Sequence, residues 1–298
     1  MDLVIVGSVA IDDVKTPSGH REYSVGGSAL FASIAAAKFT STGIVGVVGE
    51  DFPEKIVGDL KKQQIDLSGL EKVEGKTFRW KGEYCDLNKA ETKDTQLNVF
   101  ADFCPKLPET YKNAKYLFLG NIHPQLQLDV INQCKAEIIA CDTMNFWING
   151  TPELLNKVIK KVQILFINED EIRLLTKKQN IFDAADEVLK QGPKLLIIKR
   201  GEYGAIAYSK DLLYFSPVYP VRQVVDPTGA GDSFAGGFLG YIVKHNTLDS
   251  KIIKQAMIYG TVTASINIES FSFDRLISTN IEEIENRVDF LKKIISVE

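Results

Sequence analysis

The stretch VVDPTGAGDSF, residues 224–234, follows a strand-like region and opens a helix. Gly229 and Gly231 can adopt backbone angles that residues with a Cβ avoid. We therefore expect the consecutive amides of Gly229, Ala230 and Gly231 to point at one spot near a helix N-terminus, where the helix dipole adds to their attraction for an anion. Preorganised donors of this kind suit the negative charge that spreads over a phosphoryl group during transfer.

Asp232 lies just inside the first turn of the same predicted helix. A carboxylate at this place can accept the proton of an attacking hydroxyl, which is worth on the order of 10²–10⁴-fold in rate. A lone aspartate in a first turn more often just complements the helix dipole, a contribution of roughly 0.3–1 kcal/mol. Beside the Gly-Ala-Gly sequence we favour the catalytic interpretation, in which Asp232 is a general base.

Outward from this motif, short apolar strands alternate with helical patterns along most of the chain. Strands that are apolar on both faces predict a parallel sheet covered by helices on both sides. The predicted strands are residues 3–6, 43–48, 116–119, 138–141, 164–167 and 195–198. The predicted helices are residues 28–39, 53–64, 126–134, 152–160, 181–190, 230–245, 250–268 and 281–295.

Two stretches, about residues 12–24 and 75–100, interrupt the alternation of strands and helices. Residues 77–84 alternate polar and aromatic side chains, which is typical of a half-exposed antiparallel strand. A small sheet that projects from the main body would explain both stretches. Such a sheet could close over a site as a lid, or it could be a plain surface hairpin.

The composition is that of an ordinary globular protein, with 45% hydrophobic and 25% charged residues in a chain of 298. The formal net charge of -4 argues against a nucleic-acid partner, because a nucleic-acid binder normally presents a basic surface. No apolar run reaches the roughly 18–20 residues that span a bilayer, and the chain starts without a basic leader, so we expect no membrane partner. The four cysteines form no CxxC pair, which fits free thiols in a cytoplasmic protein.

The segment DPTGAGDSF at residues 226–234 resembles the C-terminal signature of the ribokinase-like (PfkB-type) family of carbohydrate and nucleoside kinases. Other segments resemble further motifs of that family in the expected order: GGS at 26–28, GVVGED at 46–51, NEDE at 168–171 and KRGEYG at 199–204. The resemblance covers essentially the full chain.

The resemblance implies a fold and an arrangement of domains. The fold is α/β, a ribokinase-like three-layer α/β/α domain with a mostly parallel central sheet and a small β-sheet lid. Residues 1–298 would form this single domain, and the lid strands would come from about residues 12–24 and 75–100.

The resemblance also implies an ATP-dependent phosphotransferase with Mg²⁺ as cofactor, which moves the γ-phosphate of ATP to a hydroxyl of a sugar or a ribonucleoside. Asp232 would be the general base, and the amides of Gly229, Ala230 and Gly231 would form the anion hole. Glu171 would help hold Mg²⁺, through water. The ATP-binding residues would be Asn168, Lys199, Gly201, Gly204 and Thr228.

Some of these residues have a plainer interpretation. Asn168 and Glu171 have the spacing of residues that cap a helix, here the predicted helix that starts at residue 169. Gly201 and Gly204 could belong to an ordinary hairpin turn rather than to a nucleotide loop. Asp226 could contribute to a monovalent-cation site of the kind that some family members have, with K⁺ as the ion, but the sequence does not establish such a site.

For the acceptor, the resemblance makes Asp12 the residue that binds substrate hydroxyls, with Gly26, Gly27 and Ser28 at the same pocket. Asn121 and Asn145 are further candidates, because ligands of α/β sheets bind beyond the carboxyl ends of the strands. Ribokinases often carry asparagine where this chain has Ala10 and Phe31. Phe31 could face a nucleoside base, although its apolar helix favours a place in the core, so the choice between a sugar and a nucleoside stays open.

Two other classes of protein compete with the kinase interpretation. The alternative is a catalytically weak nucleotide- or sugar-binding regulatory protein on the same fold, and a dehydrogenase is more distant. An exposed edge on the lid sheet would also make a homodimer plausible, because unpaired strand edges seek partners.

Overall fold

The computed structural model describes residues 1–296, in which strands alternate with helices along most of the chain. The strands are β1 (Leu3–Val6), β2 (Ala10–Thr16), β3 (Gly19–Gly26), β4 (Thr42–Val48), β5 (Ile65–Lys72), β6 (Phe78–Asp86), β7 (Lys89–Gln96), β8 (Tyr116–Leu119), β9 (Ile138–Asp142), β10 (Ile164–Asn168), β11 (Leu195–Lys199), β12 (Ala205–Ser209) and β13 (Leu212–Ser216).

The helices between and after these strands are mostly short. They are α1 (Ser28–Ala36), α2 (Glu54–Lys62), α3 (Pro124–Ile131), α4 (Asn145–Gly150), α5 (Pro152–Ile159), α6 (Glu169–Thr176), α7 (Ile181–Leu189), α8 (Ala230–His245), α9 (Ser250–Asn267), α10 (Asp274–Ser278) and α11 (Ile281–Ile295). None of the helices in residues 1–296 is long and apolar enough to cross a membrane.

The larger sheet has nine strands in the order β13-β12-β11-β10-β9-β8-β1-β4-β5. The neighbouring strands β5, β4, β1, β8, β9, β10 and β11 pair in parallel. Strand β12 runs antiparallel to both β11 and β13. The carboxyl ends of the parallel strands therefore meet at one edge, where ligands of such sheets bind. Sequence patterns predicted the central strands but missed β5 and the antiparallel β12–β13 pair.

Both faces of the larger sheet are buried under helices. On β1, Leu3 and Ile5 pack into one hydrophobic cluster, while Val4 and Val6 pack into a second one. Residues of α1, α8, α9 and α11 belong to the first cluster, and residues of α3, α5, α6 and α7 belong to the second. Burial of each such side chain is worth about 1.5–3 kcal/mol, so the two faces stabilise the sheet together. The predicted fold class, α/β with a mostly parallel central sheet and a smaller second sheet, is confirmed.

The second sheet, called the lid sheet below, has four strands in the order β3-β2-β6-β7. Its strands fall on the two stretches that interrupt the alternation of strands and helices. Strand β6 pairs antiparallel with β7, as its alternating side chains predict, but it pairs in parallel with β2. The two ends of the β2–β3 hairpin join β1 and α1, so the lid sheet is anchored where the first parallel strand ends.

Glycines bring α8 unusually close to α1. A Cβ built on Gly236 would lie 2.1 Å from the carbonyl oxygen of Ala32, and one on Gly240 would lie 2.9 Å from that of Ala36. At the N-cap of the same helix, a Cβ on Gly229 would lie 2.3 Å from the ring of Phe31. Each mid-helix glycine costs roughly 1 kcal/mol against alanine in helix propensity. The close contact of the two helices is what the missing Cβ atoms allow.

We predict that Gly236→Ala destabilises the protein, by about 1–3 kcal/mol, because the new methyl group must push α8 away from α1. Gly58→Ala in α2 is the matched control, since nothing lies within 4 Å of the position that its Cβ would take. That change should stabilise the protein by about 0.5–1 kcal/mol through helix propensity. Urea denaturation of both variants measures the difference, and a Gly236→Ala protein as stable as the wild type would show that the two helices have room to spare.

Candidate active site

The turn that precedes α8 has the geometry of an anion-binding site. Gly229 is its N-cap and adopts a left-handed conformation, with φ of 75°. The Ala230 amide donates to the carbonyl of Pro227 at 3.2 Å, and the Ser233 amide donates to that of Gly229 at 2.8 Å. The amides of Gly229 and Gly231 have no backbone acceptor within residues 1–296. Two of the three predicted donors are therefore left for a ligand at this helix N-terminus.

Asp232 projects from the first turn of α8, half-buried beside that turn. Its carboxylate makes no hydrogen bond to any residue of the described chain. Burial and the charge of Asp142 raise the pKa of Asp232 while Lys199 lowers it, and together they bring the pKa to about 7. A carboxylate with a pKa near neutrality and no partner is poised to take up a proton.

A lysine and an aspartate meet next to the turn, at the ends of two parallel strands, β11 and β9, that lie on either side of β10. The ammonium of Lys199, the last residue of β11, lies 2.6 Å from a carboxylate oxygen of Asp142, the last residue of β9. Burial alone would lower the pKa of Lys199, but the negative charges of Asp142 and Glu171 raise it overall. Lys199 is thus held as a cation at the carboxyl edge of the sheet.

Asn168 and Glu171 form a capping box at the start of α6. The Glu171 amide donates to the Asn168 side chain at 2.7 Å, and the Asn168 amide donates to the Glu171 carboxylate at 2.9 Å. Burial raises the pKa of Glu171 to about 7. The helix-capping interpretation of these two residues is therefore correct, and it leaves the Glu171 carboxylate close enough to interact with Lys199.

Asp12, the predicted binder of the acceptor hydroxyls, is a buried carboxylate beside Gly26. Asp12 on β2 is 5% exposed, and its Oδ1 has no hydrogen-bond partner within the described chain. Burial raises the pKa of Asp12 well above its usual value, and the charge of Asp226 adds to the effect. A Cβ on Gly26 would lie 2.4 Å from Asp12 Oδ2, so only glycine leaves room for this carboxylate. An unpartnered buried oxygen of this kind is a place for a ligand hydroxyl.

Gly27 and Ser28 have structural tasks beside that carboxylate. Gly27 is the N-cap of α1 with φ of 103°, and a Cβ there would lie 2.4 Å from the Ser8 carbonyl oxygen. The Ser28 hydroxyl accepts a hydrogen bond from the Ser8 amide at 3.1 Å. These two residues therefore join the loop after β1 to the start of α1, next to the candidate pocket.

Asn121 and Asn145 are less suited to a ligand. The Asn121 side chain accepts a hydrogen bond from the Trp147 indole at 2.8 Å and donates to the Met144 sulfur at 3.0 Å. Asn145 begins α4 and is exposed, with no side-chain hydrogen bond to residues 1–296. The structure thus places both after the ends of β8 and β9, as expected, without bringing them into the cluster around Lys199.

Asp226 is buried at the base of the turn at residues 229–231, which is called the anion turn below because two of its amides are free for an anion. Its carboxylate accepts hydrogen bonds from the amides of Thr228, at 2.9 Å, and Ser272, at 3.3 Å. Burial raises the pKa of Asp226, and these hydrogen bonds oppose the rise. The Thr228 hydroxyl in turn hydrogen bonds to the hydroxyl of Tyr84, at 3.2 Å.

The lid sheet touches the site at two points that sequence reasoning missed. Tyr84 on β6 reaches Thr228, and burial raises its pKa. Asn88, at the tip of the β6–β7 hairpin, donates to the Glu202 carboxylate at 3.3 Å. The aromatic alternation of residues 77–84 was the one signal that could have indicated Tyr84, whereas nothing in the sequence marks Asn88.

Gly201 and Gly204 border the loop that the hairpin tip contacts. Gly201 has φ of 55°, and a Cβ there would lie 2.5 Å from the side-chain oxygen of Asn88. Gly204 has φ of 85°, and its Cβ would lie 2.0 Å from the Ser216 carbonyl oxygen. Close approach of other chain segments therefore explains both glycines without a nucleotide.

Phe31 lies in the core, which was one of the two places that the sequence left open for it; the other was a position facing a nucleoside base. It is 2% exposed and packs edge-on against Phe273, with ring centroids 5.9 Å apart. Its ring lies under Gly229, and it would be 3.2 Å from a Cβ on Gly26. Phe31 is thus a core residue that separates the candidate acceptor pocket from the anion turn, and its ring is not a surface that a ligand touches.

Comparison with known proteins finds relatives along nearly the whole chain. The profile of the family described as pfkB family carbohydrate kinase matches residues 2–279. A cytidine kinase of Thermococcus kodakarensis is 33% identical over 249 residues, which cover 81% of this chain and 88% of the relative. A nucleoside kinase of Methanocaldococcus jannaschii is 30% identical over 287 residues, which cover 94% of this chain and 89% of the relative.

Solved structures share the fold at lower sequence identity. A putative ribokinase II from E. coli, crystallised in complex with ATP and Mg²⁺, superposes with a TM-score of 0.80 at 19% identity, covering 97% of this chain and 99% of that one. The architecture of this chain is therefore shared with a protein that binds ATP and Mg²⁺.

We predict that Asp12→Asn raises the melting temperature of the free protein at pH 8, by about 2–4 °C. The pKa of Asp12 is higher in the folded state than in the unfolded state, so the wild type loses stability as the pH rises above the unfolded value of about 4. Asparagine removes this loss, and the two proteins should melt together near pH 4.

Asp13→Asn, one position along β2, is the control for the Asp12 variant. Hydrogen bonds from Lys81 and His20 outweigh partial burial and lower the pKa of Asp13, so its charge is stabilising. The Asp13 variant should melt at the same temperature as the wild type at pH 8, or slightly below it. An Asp12→Asn protein that is less stable than the wild type at pH 8 would show that the Asp12 charge is compensated in the free protein.

Proposed function

Because the chain belongs to the pfkB family of carbohydrate kinases and is a sugar or nucleoside kinase, we propose that it transfers the γ-phosphate of ATP to a hydroxyl group of a nucleoside. Asp232 is the general base of this proposal, and the turn at residues 229–231 is the anion hole. The observation that carries it is the juxtaposition of a carboxylate without a partner, unpaired amides and the Lys199 ammonium at one helix N-terminus.

The proposed reaction needs little covalent chemistry from the protein. The acceptor hydroxyl attacks the γ-phosphorus in line, and its proton passes to the Asp232 carboxylate. The amides of Gly229 and Gly231 donate to the oxygens on which negative charge accumulates. Preorganised donors and positioning supply most of the acceleration in phosphoryl transfer.

The residues near Lys199 fit a Mg²⁺ ion. Mg²⁺ takes oxygen ligands and keeps several waters, and Glu171 offers Oε1, which has no hydrogen bond within the described chain. Glu171 would hold the ion through water, while Asn168 fixes the direction of the Glu171 side chain through the capping box. When bound, Mg²⁺ neutralises part of the charge on the ATP phosphates.

Two observations support a nucleoside as the acceptor. The unpartnered Oδ1 of Asp12 suits a ribose hydroxyl, and the half-buried ring of Tyr84 on the lid sheet offers an aromatic surface near it. The Thermococcus and Methanocaldococcus relatives are named as kinases of cytidine and of nucleosides, whereas relatives named after sugars, such as a ribokinase of Staphylococcus aureus, are 26% identical or less over most of the chain.

A monovalent cation near Asp226 is part of the proposal. The Asp226 carboxylate is 1% exposed and makes no ion pair in the part of the chain that is described, so a bound cation would offset its buried charge. The side-chain oxygen of Asn267, whose amide group donates to the Thr228 carbonyl, is buried there without a partner. Replacing K⁺ by choline should lower kcat, and an unchanged kcat would argue against the site.

A homodimer through the lid sheet stays a prediction. Strand β7 is an edge of that sheet and is exposed along its whole length, but its charged side chains oppose edge-to-edge pairing. Light scattering of the purified protein distinguishes a monomer of about 33 kDa from a dimer.

We predict that Asp232→Asn lowers kcat by on the order of 10²–10⁴-fold while the affinity for ATP changes little, because only proton transfer is removed. Asp183→Asn is the matched control, since Asp183 lies in the first turn of α7 and can only complement a helix dipole. Its kcat should equal that of the wild type. An Asp232 variant with near-normal turnover would remove the general base from the proposal.

We also predict the pH dependence of the wild-type enzyme. The base must be deprotonated, and the pKa of Asp232 is about 7 in the free protein. The initial rate at low acceptor concentration should therefore rise about tenfold per pH unit below this value and level off above it. A rate that is flat between pH 5.5 and 8 would contradict the assignment.

A coupled assay of ADP release tests the acceptor class. With Mg-ATP and equal concentrations of cytidine, inosine, adenosine, ribose and fructose, we expect the highest kcat/KM with a nucleoside. A higher kcat/KM with ribose or fructose would make the protein a sugar kinase. If none of the acceptors is phosphorylated but one of them raises the melting temperature, the result would favour the regulatory alternative.

A further inference from the structure

The pair between Lys199 and Asp142 differs from the other ion pairs of the described chain in its burial. The Asp142 side chain is 5% exposed and that of Lys199 is 20% exposed. By contrast, the pair of Lys72 with Glu54 has the same separation, 2.6 Å, but both side chains are about half exposed or more. Withdrawing two charges from water is costly, and apolar residues of similar size often replace a buried pair without loss of stability. Stability alone is thus a weak reason for this pair.

The ammonium of Lys199 lies against the anion turn. A Cβ built on Gly231 would be 3.2 Å from Nζ, so a side chain at this position would press on the ammonium. The missing side chain at 231 therefore lets the lysine approach an amide that has no backbone acceptor within residues 1–296. The positive charge and the unpaired amides face the same small volume.

The orientation of Lys199 is set by Asp142. One oxygen of Asp142 accepts the hydrogen bond of the ammonium, while the other accepts the amide of Thr143, at 2.9 Å. The carboxylate is thus fixed on both sides at the end of β9. An ammonium has three N–H donors. Within residues 1–296, the ammonium of Lys199 uses one of them, in the hydrogen bond to Asp142.

We propose that Lys199 is a catalytic residue that contacts the transferred phosphoryl group, and that Asp142 is a positioning residue that holds the ammonium against the anion turn. This inference rests on the proposed kinase function and extends it. Sequence motifs suggested only that Lys199 binds ATP, and they gave Asp142 no role.

A bond forms between the acceptor oxygen and the γ-phosphorus, and the bond from that phosphorus to the bridging oxygen of ATP breaks, with its electron pair leaving on ADP. The acceptor proton goes to Asp232. Lys199 stays protonated throughout, because Asp142 keeps its hydrogen bond, and its charge offsets the negative charge on the phosphoryl oxygens.

Kinetics of four variants test the proposal. Lys199→Met should lower kcat by on the order of 10²-fold, as the loss of one oxyanion donor does, while the KM for the acceptor stays within about threefold. Lys199→Arg keeps the charge and should retain more of kcat. Asp142→Asn should lower kcat about tenfold, as the loss of a supporting residue does. Lys72→Met is the control and should leave kcat unchanged.

The variant that lacks both side chains separates positioning from a merely structural role. If Asp142 acts through Lys199, adding Asp142→Asn to Lys199→Met should not lower kcat further. If Asp142 only supports the fold, the two losses in kcat should multiply. Lys199→Met leaves the buried Asp142 carboxylate without its partner, and this variant could fail to fold. In that case the kcat of Asp142→Asn is compared with the kcat of the double variant, which buries no lone charge.

The outcomes distinguish this inference from the proposed function. A wild type that phosphorylates a nucleoside, with losses as described, supports both. A wild type that turns over while Lys199→Met retains kcat within about threefold, or multiplying losses in the double variant, overturns the inference alone. A wild type without kinase activity on any acceptor overturns the proposed function and the inference with it.

Discussion

The close contact between α8 and α1 is the constraint on which the site depends. Gly236 and Gly240 let the two helix backbones meet, and Gly229, the N-cap of α8, lies on the ring of Phe31. The N-terminus of α8 is therefore fixed above the carboxyl edge of the sheet with little freedom to tilt. Because anion binding at a helix N-terminus depends on where its amides point, this packing contact determines the geometry of the site.

The same edge of the sheet concentrates charge that the fold does not need. Asp142, Glu171, Asp232 and Lys199 lie together, and burial raises the pKa values of Glu171 and Asp232 to about 7. Asp12 is likewise buried with an unpartnered oxygen. Such groups reduce stability in the free protein, and a nucleotide with its metal and an acceptor would supply the missing partners. The loss of stability comes from residues that lie in or next to the motifs of the family, which is typical of a binding site.

Sequence patterns predicted much of this architecture because they report local chemistry. Apolar runs predicted the central strands, the residues around Gly229 predicted the anion turn, and the spacing of Asn168 and Glu171 predicted their capping box. Patterns could not reveal Asp142 as the partner of Lys199, since the two are far apart in sequence and meet only through sheet topology. The lid contacts of Tyr84 and Asn88, which also join segments far apart in the sequence, were missed for the same reason.

A crystal structure with ADP, Mg²⁺, aluminium fluoride and cytidine tests the central claim most directly. The account predicts that the fluoride ligands accept hydrogen bonds from the amides of Gly229 and Gly231 and from Lys199. It also predicts that a ribose hydroxyl lies within hydrogen-bond distance of the Asp232 carboxylate. An aluminium fluoride group bound away from residues 229–232, or an Asp232 turned away from the acceptor oxygen, would contradict the account.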